Sequence, residues 1–170
     1  MNSKKASESL TIMNEMVLPN DTNVLNNLRG GMVLHWMDVA AAIAAQRHSN
    51  RIVVTASVDN VSFQKPIKLG DVVTIRAQIS RSFKTSMEIH LSVYTENIPS
   101  GSRVKCNNAF YTFVALDSEG SPVQVPEVIP ENEEERNLYD GALRRRQLRL
   151  ILAGKMKPDE AKELKALFDQ

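Results

Sequence analysis

An α+β fold, in which a strongly twisted antiparallel sheet curls around one long helix, is predicted by three features of this chain. The first is the stretch from Met32 to Arg47, which lacks glycine and proline and is rich in Ala, Leu and Met. That composition favours helix. The second is a set of later segments in which apolar and polar residues alternate, the mark of half-buried strands. The third is their order: one strand, the long helix, then four antiparallel strands, which leaves a layer of sheet against a layer of helix.

The helix carries the chemistry. Gly30-Gly31 opens it, and a glycine pair lets the backbone enter along a path closed to other residues. Free N–H groups at such a start hold partial positive charge and suit an oxygen that becomes negative. At about 1.5 Å per residue the helix runs roughly 25 Å. Asp38 lies about two turns after Gly31, on the same face, and His35 stands one turn before Asp38. Ala40, Ala41, Ala42, Ala44 and Ala45 leave so little bulk that other backbone can approach from several sides. A carboxylate there must be paired, hydrogen-bonded or used. By composition alone, a salt bridge or a wet rim is a somewhat better reading of Asp38 than catalysis.

In chain order, residues 10–18 have the length and apolarity of a first strand, and Pro19-Asn20-Asp21-Thr22-Asn23 breaks it. Asn23, Asn26 and Asn27 crowd the loop before Gly30. After the helix, residues 52–58 read as a β-branched strand. Ile52, Val54, Ala56 and Val58 share one phase and Val61 and Phe63 the other, so a bulge or a change of facing is expected around 59–60. Residues 65–71 turn a corner. Val73, Ile75, Ala77 and Ile79 line one face of the next strand, and Met87, Ile89, Leu91 and Val93 one face of its successor. The last strand is long, with Cys106, Asn108, Phe110, Thr112 and Val114 alternating with Asn107, Ala109, Tyr111, Phe113 and Ala115.

From Pro126 the character changes. Acids at 131–135 precede Arg144-Arg145-Arg146, the polarity a helix dipole favours, and Pro158 starts a further helix with Ala161, Leu164, Leu167 and Phe168 at helical spacing. The organisation expected is one domain over residues 1–128 and a helical extension, accessory or oligomer-contacting, over 129–170.

Composition limits the function. A net charge of +1 gives no strong attraction to nucleic acid or an anionic membrane. The single cysteine, Cys106, excludes an internal disulfide and an all-cysteine metal site and suits a reducing compartment. No segment reaches the ~20 apolar residues of a membrane span, and the start shows no signal-peptide core. The expected location is the cytoplasm, with no metal.

Several segments together resemble one family. Pro19-Asn20-Asp21-Thr22-Asn23, Asn27-Leu28-Arg29-Gly30-Gly31, Trp36-Met37-Asp38, Val53-Val54-Thr55-Ala56-Ser57-Val58-Asp59 with Phe63, the 66–71 corner, Thr85-Ser86-Met87-Glu88-Ile89 and Ala109-Phe110-Tyr111-Thr112-Phe113-Val114 follow in the order and spacing of hotdog-fold acyl-CoA thioesterases. The likeness covers roughly residues 10–130 and is shared by the YciA-like bacterial enzymes and the brain acyl-CoA hydrolase. It implies hydrolysis of fatty acyl-CoA to fatty acid and coenzyme A without a cofactor, CoA being part of substrate and product. It further implies a homodimer with the helices side by side, assembling to a hexamer. In that family the carboxylate at the Asp38 position is general base or nucleophile, an asparagine at the Asn27 position comes from the other subunit, and the N–H at Gly31 polarises the thioester carbonyl. Arg29 stands where relatives often carry histidine or phenylalanine, and Asn26 stands beside Asn27.

Coenzyme A needs cations and a channel. Arg81, Lys84, Thr85 and Ser86 offer charge and hydroxyls for its phosphates, or form an ordinary solvated hairpin. By similarity, the backbone of Val54, Thr55 and Ala56 pairs with the pantetheine amides. Trp36, Met37 and Phe63 are candidates for the acyl pocket or for core packing. Two other readings remain: an acyl-CoA-binding sensor without turnover, and a hotdog dehydratase, for which His35 lacks the surrounding motif.

Overall fold

Two strands, β1 (Lys4–Lys5) and β2 (Thr11–Met16), precede the long helix α1 (Gly30–Ser49). β3 (Ile52–Asp59), β4 (Val72–Ser82), β5 (Ser86–Asn97) and β6 (Ser102–Leu116) follow. A short β7 (Val128–Ile129), the helix α2 (Glu133–Leu152) and a single-turn α3 (Lys162–Lys165) complete the chain. This computed structural model describes residues 3–59, 61–63 and 65–168.

Alternation decides the layers. Val73, Ile75, Ala77, Met87, Ile89, Leu91, Val93, Tyr111 and Ala115 are all 0% exposed, on the face of the sheet that meets α1. The helix answers with Met37, Ala40, Ala41, Ala44 and Ala45, equally buried. Alanine brings the helix backbone close to the sheet, while each larger side chain removed from water contributes about 1.5–3 kcal/mol. The five strands run β2-β4-β5-β6-β3, every neighbouring pair antiparallel, as expected for a hotdog sheet curled around one helix. Gly101, at φ +67, turns β5 into β6, a conformation that favours glycine.

The opposite face is covered by α2. Its start matches the sequence: the Asn132 side chain accepts from the Glu135 N–H at 2.9 Å, and Glu133, Glu134 and Glu135 fill the first turn. A parallel pairing of β1 with β7 joins the N-terminal segment to the stretch that leads into α2.

Two local expectations are corrected. The irregularity in β3 falls at Ala56, between Thr55 and Ser57, rather than around 59–60; Asn60 itself lies outside the described residues. Its consequence is geometric. Residues four apart share a face on a regular strand, but the extra residue turns Thr55 toward α1 and Asp59 toward α2. The helix expected after Pro158 is only a 3-10 turn, Pro158–Glu160, followed by α3. Leu167 and Phe168 are 48% and 80% exposed, so the segment lacks the packed face that sustains a short helix in water.

Candidate active site

The loop before α1 is held by backbone pairing. Leu28 N–H donates to Ile67 O at 2.7 Å, and Leu69 N–H to Asn26 O at 3.0 Å. Asn26 adopts φ 57, a left-handed conformation that asparagine tolerates. Asn23 Oδ1 accepts from the N–H groups of Leu25 and Asn27, at 2.9 and 3.2 Å. Arg29 folds back, its Nη2 donating to Asn20 O at 2.8 Å, so its charge secures the loop.

No side chain caps α1, which leaves its opening N–H groups for another acceptor. The two glycines differ in purpose. A Cβ on Gly30 would meet the Phe63 ring at 3.2 Å, so that glycine makes room for the ring. Gly31 faces open space, with nothing within 4 Å of a Cβ built there, so a ligand can reach its backbone.

About two turns on, Asp38 is half-buried and accepts at Oδ1 from Thr55 Oγ1, at 2.8 Å. This bond holds one of the two carboxylate oxygens in place. Sequence reading placed Thr55 here for its backbone; its side-chain role depends on a partner 17 residues away across two elements. Tyr111, under α1, has its phenol pushed up to about 12 by burial and by the Asp38 charge, so it stays protonated. His35 is exposed.

The other candidates are spread out. Trp36 and Met37 are buried, 7% and 0% exposed, whereas Phe63 is 53% exposed over the helix start. Val54, Thr55 and Ala56 lie on the edge strand of the sheet, so their outer backbone groups have no strand beside them within the chain. Arg81 turns onto α2, where Nη1 donates to Tyr139 O at 3.0 Å and the guanidinium lies 4.0 Å from the Tyr139 ring. Lys84 is exposed, and Thr85 O accepts from Ala115 N–H. The 81–86 turn sits at the end of the sheet where β3 begins, opposite the end that carries Gly31. Among the described residues no group of three or more His, Cys, Asp and Glu could hold a metal ion, and no helix is long and apolar enough to cross a membrane.

A carboxylate behind a glycine-opened helix, wrapped by one antiparallel sheet, defines a hotdog-fold thioester hydrolase. Residues 25–102 match the model of the Thioesterase superfamily. The chain belongs to the acyl-CoA thioester hydrolases of that superfamily. It is 43% identical over 138 residues to an uncharacterised acyl-CoA thioester hydrolase of Bacillus subtilis (strain 168), covering 81% of this chain and 80% of that protein. Mammalian relatives are longer: the matched region spans only 24% of acyl-coenzyme A thioesterase 11 of Mus musculus. Among solved structures, an apo-hexameric acyl-CoA thioesterase superposes with a TM-score of 0.87 at 38% identity, covering 90% of this chain and 98% of that one. An acyl-CoA hydrolase from Staphylococcus aureus, in complex with butyryl coenzyme A, coenzyme A and coenzyme A disulfide, gives 0.81 at 36%, covering 99% of both chains. The same hydrolase is also known with an aspartate, an asparagine or a threonine changed to alanine.

Proposed function

We propose that this chain hydrolyses fatty acyl-CoA to free fatty acid and coenzyme A, with Asp38 as its catalytic carboxylate. The observation that carries this reading is the Thr55–Asp38 hydrogen bond beside an uncapped, open helix start at Gly31. The Gly31 N–H polarises the thioester carbonyl and takes up charge as the carbonyl carbon becomes tetrahedral. Asp38 Oδ2 removes a proton from water as its oxygen bonds that carbon, or attacks the carbon itself to give an acyl-aspartyl anhydride that water hydrolyses once the thiolate has left. The C–S bond then breaks and the thiolate departs; a thiolate is a good enough leaving group that neither a metal nor a cofactor is needed.

The Staphylococcus aureus variants support a revision of the second residue. There the asparagine precedes the aspartate by 15 positions and the threonine follows it by 17. Asp38 and Thr55 are likewise 17 apart. Counting 15 back from Asp38 reaches Asn23, so we assign the amide to Asn23 in place of Asn27. With Asn23 Oδ1 occupied by its own loop, we assign the Nδ2 hydrogens as its donors to a substrate or partner.

The active unit we propose is a dimer joined along β3, with the α1 helices antiparallel. Val39 and Ile43 of α1 and Ile52, Val54 and Val58 of β3 are 37–64% exposed, an apolar stripe that such pairing covers. Antiparallel pairing also brings the 81–86 turn of one chain toward the Gly31 end of the other. Lys84, Thr85 and Ser86, with Arg81 behind them, then hold CoA phosphates, and the bulged 54–56 backbone meets pantetheine. Phe63, with Trp36 and Met37 beneath, borders the acyl chain. Hexamers among the structural neighbours support assembly beyond the dimer. The cytoplasm is the proposed location, supported by a relative named as cytosolic in rat.

The test is thiol release from acyl-CoA of graded chain length. Asp38→Asn is expected to lower turnover about 10²-fold or more with the fold intact. Near-normal turnover in a folded Asp38→Asn protein overturns the assignment, and no release by the wild type leaves an acyl-CoA-binding sensor as the better reading.

A further inference from the structure

Beneath α2, on the face of the sheet away from the site, lies an ion cluster that the reaction as described does not use. The Glu88 side chain is 0% exposed. Its Oε1 accepts from Ser80 Oγ at 2.6 Å and Arg145 Nη2 at 2.8 Å. Its Oε2 accepts from Arg145 Nε at 3.1 Å and Arg149 Nη1 at 3.0 Å. Arg145 is itself fixed by Leu138 O, and its guanidinium lies 3.9 Å from the Phe110 ring. The same Nη1 of Arg149 also donates to Asp59 Oδ2 at the end of β3. Two acids thus meet two arginines, and removing one partner of so buried a set leaves an uncompensated charge.

Asp59 connects this cluster to the site. Four residues before it, on the opposite face of the same strand, Thr55 donates to Asp38. β3 is an edge strand with hydrogen bonds from β6 on one side only, and its ladder is broken at Ala56. Thr55 and Asp59 keep their β6 partners, Phe113 and Phe110, and β3 gains a neighbour in the proposed dimer. A bulge nonetheless weakens local pairing, so the side-chain anchor on each face still bears on how the bulged strand is set. On the inner face that is Asp38; on the outer face it is Arg149.

We infer that Arg149 is a positioning residue for the thioesterase reaction: by holding Asp59 from the outer face, it fixes the bulged β3 so that the Thr55 hydroxyl meets Asp38. The inference rests on the reading of Asp38 as the catalytic carboxylate. It gives the C-terminal helix a part in catalysis without touching substrate.

The experiment compares wild type, Arg149→Met, Arg149→Lys and Asp59→Asn by thiol release from one acyl-CoA, well below each protein's thermal midpoint. Arg149→Met is expected to lower kcat about tenfold, the loss that follows when a hydrogen bond to a charged group is misplaced, with KM nearly unchanged. Arg149→Lys restores most of the rate, because one ammonium can serve both carboxylates. Asp59→Asn, which leaves both arginines on Glu88, behaves as Arg149→Met does and decides the matter if the latter fails to fold. In a Thr55→Val background, Arg149→Met costs nothing further. Wild-type kcat in folded Arg149→Met or Asp59→Asn overturns the inference, as does an effect confined to KM or thermal stability, or additive losses in the Thr55→Val background. Asp38→Asn measured alongside separates the two readings. A near-normal rate there overturns the catalytic assignment of Asp38, whereas a full-rate Arg149→Met beside a dead Asp38→Asn overturns this inference alone.

Discussion

At Asp38 a single hydroxyl engages one of the two carboxylate oxygens. Thr55 Oγ1 occupies Oδ1, so the carboxylate cannot rotate freely and, in the function we propose, Oδ2 is the edge offered to water or substrate. Thr55→Val preserves the shape of the side chain and removes only that donor. Hydrogen bonds to charged groups contribute roughly 1.5–3 kcal/mol, so kcat is expected to fall about tenfold or more while KM stays close to its original value. Steady-state kinetics across acyl lengths check this; a loss in KM alone would place Thr55 in substrate binding. Asp38 was legible in the sequence as an isolated acid in an apolar helix. The Thr55 side chain was not, because its partner lies on another element and β-strand threonines are commonplace.

At the scale of the element, α1 is fixed at its far end by a histidine. His48 is 0% exposed, and its Nε2 lies 2.9 Å from the Pro126 carbonyl. A carbonyl only accepts, so Nε2 carries the proton and the buried Nδ1 has none. Burial holds the His48 pKa below its ordinary value of 6.5, and the carbonyl bond only partly opposes that; His90, under α2, is shifted the same way by burial. The unfolded chain therefore binds more protons than the folded one once pH falls below about 6.5, so stability falls with pH in that window. The thermal midpoint is expected to drop from pH 7 to pH 5, and His48→Gln to flatten that slope. A midpoint independent of pH in this range would show that neither histidine resists protonation. The helix dipole adds to the requirement for a cap here, which Asn50 supplies at φ 52, with its N–H on Gln46 O at 2.7 Å.

For the whole molecule, the question is which chains build one site. Asn23 lies in a loop whose own backbone engages its Oδ1, and Asp38 lies about two turns inside α1; in the symmetric dimer we propose, each loop meets its neighbour's helix. Asn23→Ala chains and Asp38→Asn chains are each expected to be nearly inactive. After verified chain exchange, mixed dimers should regain one intact site, because one site collects both lesions and the other neither. Absence of recovery means that both residues act within a single chain; an inactive Asn27→Ala protein beside a fully active Asn23→Ala protein would return the amide to Asn27. The same arrangement sends the 81–86 turn to the partner's site. Lys84→Ala is accordingly expected to raise KM and to weaken its dependence on salt at constant kcat. An unchanged KM at low and high salt would make this turn plain surface.

What the amino-acid order determined by itself is local and periodic. Alternation fixed which faces of β4, β5 and β6 turn inward, the alanine-rich stretch made α1, and glycine marked its opening, because each depends only on near neighbours along the chain. Position across the fold was decided only when the elements met. The bulge at Ala56 lets β3 send Thr55 to one helix and Asp59 to another on the opposite face, and no periodicity in residues 52–58 carries that shift. Arg145 belongs to a charged run, Arg144-Arg145-Arg146, that reads as a solvated helix face, and Arg149 drew no reading at all; Glu88 and Asp59 give them partners more than fifty residues away. Charge pairing at such separation is set by the closure of the sheet beneath α2, and tertiary structure alone brings those groups within reach.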